Sequence, residues 1–143
     1  MKLTLFPAFL LFTSILGLKD EHEENLKRWH MECFQETKVN PDLVLKLKMG
    51  NWQIKNKLLK EWILCVFNKY DLMSKEGVFK LDTAMSLVPS ADRDMIEDYI
   101  DACLPKHIAE PRDIAWKYAK CYHVGAKDPI NKNKRLHYMT LFY

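Results

Sequence analysis

The stretch QIKNKLLKEWILCVFNKYDL, residues 53–72, decides the fold. Leu58, Leu59, Trp62, Ile63, Val66, Phe67 and Tyr70 recur at the three- and four-residue spacing of an α-helix and cover most of its circumference. A helix that is apolar almost all round must be surrounded by other elements, so this segment is read as the central, largely buried helix of an all-α domain. It also carries one of the four cysteines, Cys65.

Helical periodicity continues on both sides. Upstream, Leu26, Trp29, Cys33 and Phe34 form an apolar stripe over residues 20–36, with acidic residues in the first turns where the helix dipole favours them. Asn40-Pro41 reads as a cap followed by proline at the first helical position, opening a short helix that Gly50-Asn51 ends. Downstream, Lys75-Glu76-Gly77 is a loop, and Asp82 is expected to cap a short helix through Val88, closed by Pro89. Ser90 is expected to cap the next helix. Its inward stripe is Met95, Ile96, Tyr99, Ile100 and Cys103, with Arg93, Asp94, Glu97, Asp98 and Asp101 outward. Leu104-Pro105 stops it. Pro111 opens the last long helix, where Ile114, Ala115, Tyr118, Cys121 and Tyr122 share a face and Lys117, Lys120 and His123 take the other. The expected architecture is therefore a compact bundle of about six helices.

Composition agrees with one globular domain. The chain has 143 residues, 48% hydrophobic and 29% charged, which argues against disorder. Four glycines are too few for an all-β fold rich in tight turns.

The N-terminus sets the compartment. Met1-Lys2 precedes an apolar run, residues 3–16, ended by Gly17 and followed at once by Lys19-Asp20-Glu21. The run is short for a membrane span, which needs about 20 residues. Residues 1–17 are read as a cleaved secretory signal peptide and residues 18–125 as the helical domain; a retained N-terminal anchor is the competing reading. Twenty-two Lys+Arg against 19 Asp+Glu give +3, and loss of Lys2 with the leader takes the mature chain to about +2. That is too small for a nucleic-acid-binding footprint. Lysines 46, 48, 55, 57 and 60 cluster mid-chain; solvated helix faces are the plain reading and an anion-attracting rim the sharper one.

In a secreted chain, four cysteines imply two disulfides. Zinc is the alternative, but no pair has CxxC spacing, and no metal or other cofactor is expected. Each cysteine lies on the apolar face of an expected helix, so bridges would staple helix to helix. The intervals between Cys33, Cys65, Cys103 and Cys121 hold 31, 37 and 17 residues.

A signal peptide, about six helices and these intervals resemble the insect odorant-binding proteins of the pheromone-binding and general odorant-binding type. The six-cysteine form of that family pairs first with third, second with fifth and fourth with sixth. Three residues separate its second and third cysteines, and eight its fifth and sixth. Cys33, Cys65, Cys103 and Cys121 fit as first, third, fourth and sixth, which is similar to the four-cysteine "minus-C" branch. The resemblance implies bridges Cys33–Cys65 and Cys103–Cys121, and it puts the two vacancies at Glu61 and Arg112. These residues are opposite in charge, so an ion pair is expected where the third bridge would have been.

The resemblance further implies a fold built around an internal apolar cavity, and a carrier of small hydrophobic molecules such as odorants, pheromones or other semiochemicals. Met73, Met95 and their apolar neighbours supply adaptable lining material. The expected ligand-binding residues are Leu26, Trp52, Phe67, Leu72, Phe79, Met85, Val88, Ile96, Ile100, Tyr122 and Phe142. Tyr70, Tyr99, Tyr118 and Tyr122 are equal candidates for a selective hydroxyl. The C-terminal tail, residues 126–143, ends apolar and aromatic, unlike an ordinary frayed terminus. Leu136, Met139, Leu141 and Phe142 are read as a lid over the cavity. A small apolar organic molecule is the expected partner, with a membrane receptor as a second, and the protein is expected as a monomer or weak dimer. It binds no nucleic acid on this reading.

Enzyme readings find no support in the residues. No P-loop, HExxH or nucleophile motif is present, and the His-Asp-Cys motif of secreted phospholipases is missing. The alternative of another class is a secreted helical-bundle signalling protein of cytokine type. Such bundles use four long helices, whereas Gly50, Gly77, Pro89, Pro105 and Pro111 divide this chain into short ones.

Overall fold

A computed structural model of the chain describes residues 6–107 and 109–124. Six α-helices follow one another: α1 (Phe6–Thr37), α2 (Pro41–Lys48), α3 (Lys57–Lys69), α4 (Leu81–Ser86), α5 (Arg93–Cys103) and α6 (Pro111–Val124). The only β pairing among the described residues is an isolated bridge between Met73 and Phe79. Among the described residues, no helix is long and apolar enough to cross a membrane.

The central helix is shorter than its apolar pattern suggests. Asn56 accepts a hydrogen bond from the Leu59 amide and so caps α3 three residues inside the expected start. At the other end Asp71 turns left-handed, with φ of 60°. The Leu72 amide then donates to the Phe67 carbonyl and the Asp71 amide to the Asn68 carbonyl, closing the helix before Leu72. Leu59, Trp62, Ile63, Val66 and Phe67 are buried, and α3 packs against α1 on one side and α6 on the other.

The other helices follow from local chemistry. Asn40 caps α2 through the Asp42 amide, with Pro41 at the first position. Asp82 does not cap α4: it sits inside the first turn, the N-cap is Lys80, and no side chain serves there. Nor does Ser90 cap α5. It opens a 3-10 turn, Ser90–Asp92, and the Arg93 Nε donates to the Val88 carbonyl to hold the junction. The stripe of α5 is as the periodicity predicts, with Ile96, Ile100 and Cys103 buried. The first helix is longer than the expected 20–36 and continues back through the preceding apolar residues to Phe6.

Between α3 and α4, residues 72–80 form a tight hairpin. Ser74 N–H donates to the Val78 carbonyl and Lys80 N–H to the Leu72 carbonyl, while Asn68 Nδ2 reaches the Met73 carbonyl. Its turn rests on Gly77. A Cβ there would lie 3.0 Å from Ile114 Cδ1 and 3.1 Å from Pro111 Cα, and φ is +85°. Glycine therefore serves both the turn and the close approach to the start of α6.

Candidate functional site

The expected lining residues reach the interior from several elements. Phe67 comes from α3, Leu72 and Phe79 from the hairpin, Met85 from α4, Val88 from the turn after it, Ile96 and Ile100 from α5, and Tyr122 from α6. Phe67, Leu72, Val88, Ile96, Ile100 and Tyr122 are buried in one contiguous core, with Phe79 and Met85 partly buried against it. Trp52 joins that core from the α2–α3 connection. Leu26 is buried on α1 without belonging to it. Phe142 and the rest of the 126–143 tail lie outside the described residues.

Tyr118 is the hub of this interior. Its ring centroid lies 4.8 Å from Phe79, 5.7 Å from Phe67 and 5.8 Å from Tyr122. Tyr122 meets Tyr99 edge-on at 6.0 Å and His123 at the same distance. His123 stacks on Trp52 at 5.3 Å, and Trp52 lies 5.5 Å from Trp116. Ring contact thus runs unbroken from Phe67 to Trp116. Each such pair contributes ~0.5–1.5 kcal/mol beyond its buried area.

Trp116 lines an open surface depression of about 520 Å³, together with Lys55, Lys60, Lys117, Lys120, Cys121 and Val124. A second, of about 420 Å³, is lined by Glu36, Glu61, Leu64, Cys65, Asn68, Lys69 and Lys75. Both carry charged side chains, and neither is lined by the expected ligand-binding residues.

The ring cluster is largely apolar, and it holds a polar group at its centre. The Tyr118 hydroxyl is buried and has no hydrogen-bond partner among the described residues. Burying such a group unpaired costs ~1–3 kcal/mol. Burial, and then the neighbouring Tyr122, hold its pKa well above the ordinary tyrosine value, so the group is a neutral O–H donor. Trp62 Nε1, between α1 and α3, is likewise buried without a hydrogen-bond partner among the described residues. It faces the rings of Phe34 and His30 rather than this cluster.

The frame around the rings is cross-linked. Cys103–Cys121 ties α5 to α6 within one turn of Tyr118 and next to Tyr122, and Cys33–Cys65 ties α1 to α3. No described cysteine is free. Lys69 adds ion pairs from α3 to Glu32 and Glu36 of α1, and these two carboxylates raise its pKa. On the α3–α6 side, Glu61 faces Arg112 at 3.6 Å and Lys60 faces Asp113 at 2.7 Å. The hydrogen bond from Lys60 holds the Asp113 carboxyl below the usual carboxylate range.

Trp116, Ala119 and His123 escaped the one-stripe reading of α6. Trp116 and Ala119 are buried, and His123 stacks inward on Trp52 instead of facing water with Lys117. Their spacing of three and then four residues marks a second apolar stripe, which two-stripe counting on this helix would have found.

Comparison with known proteins places this arrangement. The B1 protein of Tenebrio molitor is 24% identical over 117 residues, covering 80% of this chain and 88% of that protein. The B2 protein of the same beetle is 23% identical, covering 80% of this chain and 89% of its own length. The fold is similar to the crystal structure of the medfly Odorant Binding Protein CcapOBP22/CcapOBP69a. The TM-score is 0.62 at 23% identity, over 82% of this chain and 98% of that one. The sequence profile of the PBP/GOBP family matches residues 17–124, most of the chain. By that match, and with its two bridges in the four-cysteine arrangement, the chain belongs to the PBP/GOBP family of odorant-binding proteins.

Proposed function

We propose that the protein is a secreted carrier that takes small hydrophobic molecules into its aromatic interior and transports them through aqueous fluid. The observation that carries this reading is the ring cluster of Phe67, Phe79, Tyr118 and Tyr122, drawn from three elements and braced by Cys103–Cys121. Family membership supports a binding role rather than catalysis. The ligand occupies an internal apolar cavity next to these rings, where Phe79 and Met85, only partly buried, give way to admit it. Secretion is supported by the apolar leader over residues 1–17 and by the pairing of all four cysteines. The apolar, aromatic tail over residues 126–143 is proposed as a lid over that cavity. Olfactory ligands, a membrane receptor and a monomeric or weakly dimeric state complete the reading.

Burying a ligand of about ten carbons contributes several kcal/mol at ~0.8 kcal/mol per CH₂, reduced by association costs, so micromolar affinity is expected. The test is uptake of N-phenyl-1-naphthylamine by the oxidised chain, followed by displacement with medium-chain ketones and hydrocarbons. Blue-shifted, saturable fluorescence that these compounds abolish is the expected result. A chain that leaves the probe dark is no carrier, and the signalling-bundle alternative would then regain its footing. At present that alternative lacks the long helices it needs: α2 to α6 have between 6 and 14 residues.

A further inference from the structure

Four tyrosines stand out in the sequence, and the structure separates them. Tyr70 lies on the other side of α3, edge-on to Trp29 of α1. Tyr99 is half-buried, at the edge of the cluster against Tyr122. Tyr122 is buried beside His123. Among the described tyrosines, Tyr118 is the one whose buried hydroxyl has no hydrogen-bond partner. It is 2% exposed and ringed by Phe67, Phe79 and Tyr122. Buried polar groups are almost always paired, so an orphan at the centre of an apolar site needs a reason. A phenylalanine would fill the same volume without the penalty.

We infer that the Tyr118 hydroxyl, which has no partner among the described residues, is the specificity-determining donor of the site and binds the carbonyl oxygen of a medium-chain ketone, aldehyde or ester. The inference rests on the carrier reading and narrows it to a ligand class. Its logic is asymmetric. A carbonyl ligand supplies the missing acceptor, whereas a hydrocarbon of equal length leaves the hydroxyl as orphaned as before. The donor is available through the neutral range, where an ordinary phenol with pKa about 10 is already protonated, and burial raises the value further. Cys121, one turn along α6, fixes this stretch of helix to α5, and Gly77 lets the hairpin carry Phe79 against the Tyr118 ring.

The test compares the wild-type chain with Tyr118→Phe, using displacement of N-phenyl-1-naphthylamine by 2-undecanone and by undecane. Wild type is expected to prefer the ketone by about five- to tenfold, the weight of one hydrogen bond. The variant is expected to lose that preference, hold the hydrocarbon unchanged, and unfold at the same or a higher urea concentration. An equal ketone preference in both proteins overturns the inference and leaves the carrier reading intact. Failure of both proteins to take up the probe overturns the carrier reading, and this inference with it.

Discussion

Arg112 of α6 places its Nη1 3.6 Å from the Oε1 of Glu61 on α3. The neighbouring residues repeat the contact: Lys60 meets Asp113 at 2.7 Å. Two consecutive residues on one helix therefore grip two on the other. All four side chains are about one-third exposed or less. Partly solvated pairs of this kind are weak, at ~0–1 kcal/mol each. A double-mutant cycle on Glu61→Gln and Arg112→Gln should return a coupling below about 1 kcal/mol, shrinking as salt is added. A coupling several times larger would mean that the pair is a structural clamp between α3 and α6 rather than a surface contact.

The second pair gives a pH dependence of known sign. Lys60 lowers the Asp113 pKa in the folded state. The stability Asp113 contributes is therefore fully present above its unfolded pKa of about 3.9, and is lost as pH falls through the lower folded value. Asp113→Asn should cost stability at pH 7 and flatten the acid limb of a urea-midpoint profile below about pH 4. A variant whose acid limb matches wild type would show that the contact does not persist in solution.

The two bridges differ in the loop they close. Cys33–Cys65 spans 32 positions and Cys103–Cys121 spans 18. Chain entropy assigns each about 3–4 kcal/mol, the longer loop slightly more. Replacing either pair with alanine should lower unfolding free energy by about that amount. Loss of Cys103–Cys121 should also weaken ketone binding more, because that bridge lies beside Tyr118 and Tyr122 on α6.

Gly77→Ala tests how the hairpin is seated. The left-handed backbone and the contacts with Ile114 and Pro111 both oppose a Cβ. The expected cost is about 1–3 kcal/mol, with reduced near-UV circular dichroism as Phe79 loosens from Tyr118. Unchanged stability would show that the hairpin does not dock on α6.

Much of this architecture can be read from local signals, and the remainder depends on contacts distant in sequence. The stripe from Met95 to Cys103 and the Asn40-Pro41 start need only the helical repeat and a capping rule, and both appear as read. The expected 53–72 helix is longer than α3, because an asparagine in a polar stretch does not announce itself as a cap until Asn56 is seen to accept from the Leu59 amide. Ser90 and Asp82 are good capping residue types at positions where the chain turns differently. The docking of Gly77 on Pro111 joins residues far apart in sequence, and no local pattern announces it. At the site, the residue types were visible, and the choice among tyrosines was not. What distinguishes Tyr118 is a buried hydroxyl with no partner among the described residues, which only three-dimensional packing defines.

The central claim is that an apolar guest enters the ring cluster, and isotope-edited NMR with 2-undecanone reads this directly. Titration should shift the side-chain resonances of Phe67, Phe79, Tyr118 and Tyr122, with intermolecular contacts from the ketone chain to those rings. Shifts confined to the lysine-rimmed depression around Lys117 and Lys120, or no shifts at saturating ketone, would contradict it.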